Sequence, residues 1–264
     1  MTNLKLIATD VDGTLFDSEH TYDHERLNNY LKKLHQQDVK FFVASGNSYS
    51  HLTAIFSESP LIDGFIAENG AQINVGGKFI DERTIAQANL NQIIPVLNSK
   101  LNLTKLFLSG KKATYSTNKF DDIDHYYHDN LVHVDTLENI DDVVYKINIQ
   151  LVNSNLIDAV KFINDNYSHL VYAAVSGFGS IDIIPINTNK GTAITDLCDY
   201  YKISTSDVIA FGDNGNDLEM IKVAGTGVAM KNAVKDIKQA SNLITKDDND
   251  HDGVLNTIAE IFDI

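Results

Sequence analysis

Apolar positions along the chain follow two periods. Short, mainly apolar runs at residues 4–9, 40–44 ("KFFVA") and 64–68 ("GFIAE") read as buried strands. Between them Leu27, Tyr30, Leu31 and Leu34, and then Leu52, Ile55 and Phe56, recur at helical spacing. The pattern predicts helices over 22–37 and from 49 onward, and "INVGGKFI" predicts a hairpin turning at Gly76 and Gly77. Strand, helix, strand in this order implies a parallel sheet with right-handed crossovers.

The middle of the chain has another rhythm. A helix marked by Ile93, Ile94 and Leu97 precedes a hairpin of "KLFLSG" and "ATYS", then a polar stretch rich in Asp, His and Tyr. "YKINIQL", a helix over 156–164, and the strands "VYAAVSG" and "SIDIIP" follow. From Lys190 the first rhythm returns: a helix, the strand "DVIAFGD", the helix "NDLEMIKVA", the strand "GTGVAM" and a last helix over 253–262. The expectation is an α/β core formed by 1–83 and 187–264, interrupted by an α+β insert at 84–186, with a ligand cleft between them.

Composition narrows the function. The 264 residues are 43% apolar, enough for a full core, and carry 36 acidic against 21 basic side chains, a net charge of −15. That balance disfavours nucleic acid and anionic membranes as partners. A phosphate ligand would then need local positive charge, which a divalent cation supplies. The single cysteine, Cys198, fits a reducing compartment. Asp10 breaks the first apolar run and no apolar stretch of about 20 residues exists, so a cytoplasmic protein without a membrane span is expected.

Four stretches at strand ends or helix starts carry candidate chemistry, where an open parallel sheet gathers its loops. Asp10 and Asp12 end the first strand; such a pair suits a hard cation plus nucleophilic and proton-transfer roles, or a capped turn at Gly13. Ser45, Gly46 and Asn47 end the second, offering a hydroxyl and an open amide for an anion, or an ordinary helix cap. Lys190 opens a helix, against the macrodipole, and so wants an anionic partner unless it simply lies in solvent. Asp213, Asn214, Asn216 and Asp217 form an oxygen-rich loop able to complete a metal site or to orient Lys190, or a plain strand-to-helix turn.

Taken together, "DVDGT", "VASGN", the Lys190 helix start and "GDNGND" resemble the haloacid dehalogenase superfamily. The insert, "AENGA" and "DNDHDGV" resemble its Cof-type subfamily with a large type IIB cap, close to bacterial sugar phosphatases. The resemblance implies a Rossmann-like core and a Mg²⁺-dependent phosphatase of small phosphorylated metabolites, above all sugar phosphates, working through an aspartyl-phosphate. It implies Asp10 as nucleophile and metal ligand, and Asp12 as acid/base with its backbone carbonyl on the metal. Ser45 and Gly46 would hold phosphoryl oxygens, Lys190 would bridge Asp10 and phosphate, and Asp213 would complete the Mg²⁺ ligands. Asn216 would bind phosphate, with Asn214 and Asp217 in support; Asn47 stands where many Cof-type members carry arginine. A sugar phosphomutase or phosphotransferase, or a non-catalytic phosphosugar-binding protein, are the rival readings.

Other motifs carry less. The stretch from Asp248 fits a calcium loop at Asp250, Asp252 and Gly253, but Ala259 stands where a closing glutamate is required. "SGFGSID" lacks the last glycine of a dinucleotide fingerprint, and His125 with His128 reads as a surface face before a metal pair. Cys198 falls in an apolar helical pattern and is expected in the core. Within the insert Ser109, Lys146 and the turn 176–179 are candidates to touch the leaving group.

Overall fold

A computed structural model describes residues 4–127, 130–152, 155–176 and 179–264. It is an α/β structure with two sheets. The first has eight strands: β1 (Leu6–Thr9), β2 (Lys40–Ala44), β3 (Gly64–Ala67), β4 (Gln72–Val75), β5 (Lys78–Glu82), and, from the last third of the chain, β12 (Val208–Gly212), β13 (Thr226–Ala229) and β14 (Leu243–Ile244). Their order is β14-β13-β12-β1-β2-β3-β4-β5; β4 and β5 form the antiparallel edge and the rest run parallel.

Strands this apolar must bury both faces, and they do. Ile7, Phe41, Val43, Ile209 and Phe211 face α1 (His24–Gln36) and α9 (Gly253–Phe262), which present Leu27, Leu31, Leu34 and Val254, Leu255, Ile258. Their strand neighbours Leu6, Ala8, Phe42, Ala44 and Val208 face α6 (Lys190–Tyr201), where Cys198 lies buried among Ala193, Ile194 and Leu197.

The second sheet is drawn from residues 103–185: β6 (Leu103–Gly110), β7 (Thr114–Ser116), β8 (Leu131–His133), β9 (Val144–Leu151), β10 (Val171–Ser176) and β11 (Ser180–Pro185), in the order β10-β11-β9-β6-β7-β8. One face packs on α3 (Gln87–Lys100) and α5 (Leu156–Tyr167): Ile147, Ile149, Ile181 and Ile183 meet Leu90, Ile93, Leu97 and Ile163. The opposite face carries Lys146, Asn148 and Asp182 and looks across a cleft at the loops of the first sheet. Arg83 ties the two chain crossings together. Its guanidinium donates to the carbonyl of Asn187 at 3.1 Å and to Thr192 at 3.0 Å, and pairs with Asp81 at 2.9 Å and Asp196 at 2.5 Å.

Two pairs of short elements lie where the sequence pattern predicts none. The polar middle stretch holds α4 (Asp122–Tyr127) and β8, and the tail holds α8 (Lys235–Ala240) and β14. The start of α4 is fixed by a reciprocal pair: the Asp124 amide donates to Asp121 at 3.1 Å, and the Asp121 amide to Asp124 at 2.9 Å. Among the described residues no helix is long and apolar enough to cross a membrane.

Candidate active site

Strand register brings the candidate loops to one level. Thr9 pairs with Val43 on one side and Phe211 on the other. Asp10, Ser45 and Asp213 therefore leave the sheet within two residues of a common line. Gly13 lets the first loop turn: its φ is +75°, and a Cβ there would lie 2.8 Å from Asp213 Oδ2.

Lys190 sits at the first turn of α6, held by a capping box in which Asn189 and Thr192 bond each other's backbone. It is not a solvent lysine: its exposure is 0%. Its ammonium donates to Asp10 Oδ1 at 2.5 Å and to Asp217 Oδ1 at 2.7 Å. The other Asp217 oxygen accepts the backbone amides of Asp213 (2.9 Å) and Asn214 (3.1 Å), and Asn214 caps the turn Gly215–Asp217 through the Gly215 amide at 2.8 Å. Asp213 Oδ1 accepts from Thr14 at 3.1 Å. Of the two roles open to Asp217 in the sequence, metal support or lysine orientation, its bonds serve the second.

The cluster is strongly unbalanced. Asp10, Asp213 and Asp217 bring carboxylate oxygens within 4.8 Å of one another, against one ammonium. Burial, then Asp217, pushes Asp10 well above the usual carboxylate range, with Lys190 opposing. Burial and Asp217 push Asp213 up to about 7, against the Thr14 hydrogen bond and Lys190. Burial works against the Lys190 ammonium, but Asp10 and Asp217 more than offset it and hold it above the usual lysine range. Asp217 already accepts three hydrogen bonds against one each on Asp10 and Asp213, so Asp10 and Asp213 are the carboxylates with most oxygen capacity to give. A hard dication, which takes one or two carboxylates and keeps water and substrate oxygens, fits this donor set. The acidic group thus comprises Asp10, Asp213 and Asp217, whereas the Asp12 carboxylate turns to His20 Nδ1 at 3.5 Å and Asn47 Nδ2 at 3.4 Å.

A stability profile tests that imbalance. Carboxyls with raised folded pKa values bind protons more tightly in the folded state, so they stabilise it most below the unfolded value near 4 and lose that contribution as pH rises through the folded value. Metal-free protein is expected to lose stability from about pH 4 to above pH 7 on account of Asp10 and Asp213. A millimolar divalent cation is expected to restore it at pH 7.5. Denaturant midpoints at several pH values, with EDTA or cation, measure both; a cation that leaves the midpoint unmoved would refute the fit.

Ser45 is 2% exposed and its Oγ accepts the Asn47 amide at 3.1 Å. Gly46 admits close neighbours: a Cβ there would stand 3.2 Å from Asn69 and from Asp182. Its carbonyl accepts a hydrogen bond from Lys146 Nζ, reaching over from β9. Asn216 donates to Asn69 Oδ1 at 3.1 Å, Asn69 to Asp182 Oδ2 at 2.6 Å, and Asn148 to Asp182 Oδ1 at 2.7 Å. Lys146 also pairs with Glu68 at 2.9 Å, and Ser109 hydrogen-bonds Glu68. Of the three candidates from the middle of the chain, Ser109 and Lys146 therefore reach into the cleft. Glu68 and Asn69 are consecutive non-glycine residues at φ 51° and 55°, a strained backbone of the kind found beside ligands.

Glu68, Asn148 and Asp182 were not singled out from sequence. The signal for Asn148 is the alternation of Lys146, Asn148 and Gln150 with Ile147 and Ile149 in β9. Of the 176–179 turn, residues 177 and 178 lie outside the described residues; Ser176 lines the cleft and its hydroxyl is 2.7 Å from that of Ser180. His128 lies outside the described residues, and His125 is exposed, its ring edge-on to Phe120 at 6.0 Å.

Known proteins match this arrangement along almost the whole chain. The profile of the family described as haloacid dehalogenase-like hydrolase matches residues 7–258. The chain is 30% identical to the 5-amino-6-(5-phospho-D-ribitylamino)uracil phosphatase YbjI of Escherichia coli, over 98% of this chain and 96% of that protein. It is 25% identical to the phosphatase of the same name, YitU, of Bacillus subtilis, over 98% of each. The crystal structure of SMU.1108c from Streptococcus mutans superimposes with a TM-score of 0.93 at 31% identity, covering 99% of this chain and 100% of that one. The chain belongs to the haloacid dehalogenase-like hydrolases, in their Cof-type branch, and is an enzyme of the phosphatase type.

Proposed function

We propose that this phosphatase is a cytoplasmic Mg²⁺-dependent hydrolase of small phosphorylated metabolites, foremost sugar phosphates, and that Asp10 is its nucleophile. The observation that carries the proposal is the contrast between two carboxylates in one loop. Asp10 is 6% exposed and pinned through one oxygen by Lys190, leaving the other oxygen to react. Asp12, two residues on, stands at the cavity wall with its side chain 36% exposed, free of the buried cluster. Separate environments suit separate roles.

In the first step Asp10 attacks phosphorus, the ester P–O bond breaks, and Asp12 gives its proton to the departing oxygen. In the second, Asp12 takes a proton from water, the water oxygen attacks the aspartyl-phosphate, and inorganic phosphate and free Asp10 are released. Lys190 keeps Asp10 in place through both steps. Ser45 and the Gly46 amide receive phosphoryl oxygens, with Asn216 beside them. Mg²⁺, held by Asp10, Asp213 and the Asp12 carbonyl, would offset the charge between carboxylate and phosphoryl group. Residues 1–83 and 187–264 act as the catalytic unit and 84–186 as a cap over it. The lone buried Cys198 supports a reducing, cytoplasmic setting.

The test is inorganic phosphate release from sugar phosphates, nucleotides and pyridoxal phosphate, with Mg²⁺ or with EDTA. Metal-dependent release at many turnovers per enzyme is expected. Isomerised sugar phosphate without free phosphate would instead identify a mutase, and binding without any conversion a sensor.

A further inference from the structure

The end of the cavity lined by the second sheet has a charge pattern that bears on which phosphate esters can enter. Its wall is built from Glu68, in the turn after β3, and Ser109, Lys146, Asn148 and Asp182 of the second sheet, with Asn69 donating to Asp182. Glu68, Asp182 and Lys146 are 1%, 3% and 7% exposed. Lys146 is the cation here that a second anionic group on a substrate would have to use. An ammonium has three N–H donors. Those of Lys146 face three oxygen partners: the Gly46 carbonyl, Glu68 at 2.9 Å and Asp182 at 3.7 Å. Two carboxylates against one ammonium leave this end net negative. Asp124 also lines the cavity and pairs at 2.8 Å with Lys105, which Asp121 shares.

The same groups suit donors. A carboxylate has about four lone-pair sites. Glu68 Oε1 accepts from Ser109, while Oε2, closed off from the cavity, forms an ion pair with Lys146; Asp182 accepts from Asn69 and Asn148 at 2.6 and 2.7 Å, with Lys146 farther off. Glu68 Oε1 and Asp182 Oδ1, each holding one hydrogen bond, can therefore accept one more hydrogen, from a hydroxyl or an amine. Resting on the phosphatase reading above, we propose that the leaving-group end selects phosphate monoesters of uncharged or cationic, hydroxyl- or amine-bearing compounds and rejects those carrying a second anionic group. Lys146 acts there as a positioning residue that holds the Gly46 loop from the cap, rather than as an anion receptor.

Substrates of one shape and different charge test this. With Mg²⁺, kcat/KM is measured for glucose 6-phosphate, glucosamine 6-phosphate, 6-phosphogluconate and glucose 1,6-bisphosphate, with 4-nitrophenyl phosphate as a leaving group lacking both hydroxyls and a second charge. Wild-type enzyme is expected to favour the first two over the two compounds that carry a second anionic group by at least about 30-fold. Glu68→Gln, which brings the local charge to zero, is expected to narrow that gap by about 10-fold. The readout is a ratio between substrates on one preparation, so partial misfolding of a variant cancels. Comparable efficiency for 6-phosphogluconate and glucose 6-phosphate in the wild type would overturn the proposal. So would a Lys146→Met variant that loses only the anionic substrates, or a wild type that prefers 4-nitrophenyl phosphate to every sugar. Metal-dependent turnover of 4-nitrophenyl phosphate keeps the phosphatase reading in each of those cases; no turnover of any compound removes that reading and this one with it.

Discussion

An Asp10→Asn variant is expected to release phosphate at least about 10⁴-fold more slowly than wild type, and yet to resist unfolding better when no divalent cation is present. The two effects have one cause. Asp10 is buried, and its ionised form is disfavoured by burial and by Asp217 despite the Lys190 hydrogen bond. Asparagine keeps an oxygen for Lys190 to donate to and removes one of three clustered negative charges. Above pH 7 the gain in metal-free stability should be about 1 kcal/mol or more. Added Mg²⁺ should then stabilise the wild type more than the variant, because the variant has lost a charged ligand. Catalysis is lost because an amide oxygen is a poor nucleophile toward phosphorus. Phosphate release and urea unfolding, each with and without Mg²⁺, measure the pair of effects. A variant that still turns over would remove Asp10 from the nucleophile's role; one that is less stable without metal would contradict the charge imbalance.

The parts of this molecule legible in sequence are those whose physics is local. Strands β1, β2 and β12 are buried on both faces and so read as short, mainly apolar runs. Helix α9 could be bounded to the residue, because Gly253 opens a clear apolar periodicity. The charged residues at the ends of these strands stood out because a carboxylate beside an apolar run is costly unless it is used. The short elements β8, α8 and β14 left no such mark. β14 is two exposed residues, Leu243 and Ile244, that form a strand only because β13 is beside them. The cleft network was hidden for a related reason: Asn69 and Asp182 meet across 113 positions, and no periodicity within either segment announces a partner so far away. Lys146 could be marked as a cleft residue, but that its reach ends on the Gly46 carbonyl depends on how the two sheets face each other. Asn216 shows the same limit, since its side-chain nitrogen bonds Asn69, and only the three-dimensional arrangement makes that neighbour available.

Lys190→Met should have the opposite sign to Asp10→Asn in stability and the same sign in activity. Methionine fills much of the lysine's volume, so the change is mainly one of charge and hydrogen bonding. It leaves Asp10, Asp213 and Asp217 within 4.8 Å of one another without a cation. Removing one partner of a buried pair in this way typically costs about 3–5 kcal/mol. The carboxyls would take up protons to limit that cost, so the deficit should be greatest above pH 7 and shrink toward pH 5. Mg²⁺ should recover part of the stability by supplying positive charge, but not the turnover. Without the bonds at 2.5 and 2.7 Å, neither Asp10 nor Asp217 is held where the reaction needs it, and a misplacement of about 1 Å can cost about 10²-fold. A loss of at least about 10³-fold in kcat is expected, from misplacement together with the lost charge. Lys190→Arg separates charge from fit. It restores positive charge on a larger, planar group, and should regain stability at pH 7.5 well before it regains activity. If Lys190→Met unfolded at the wild-type midpoint across this pH range, the lysine would not be the counter-charge that lets three aspartates share one buried site.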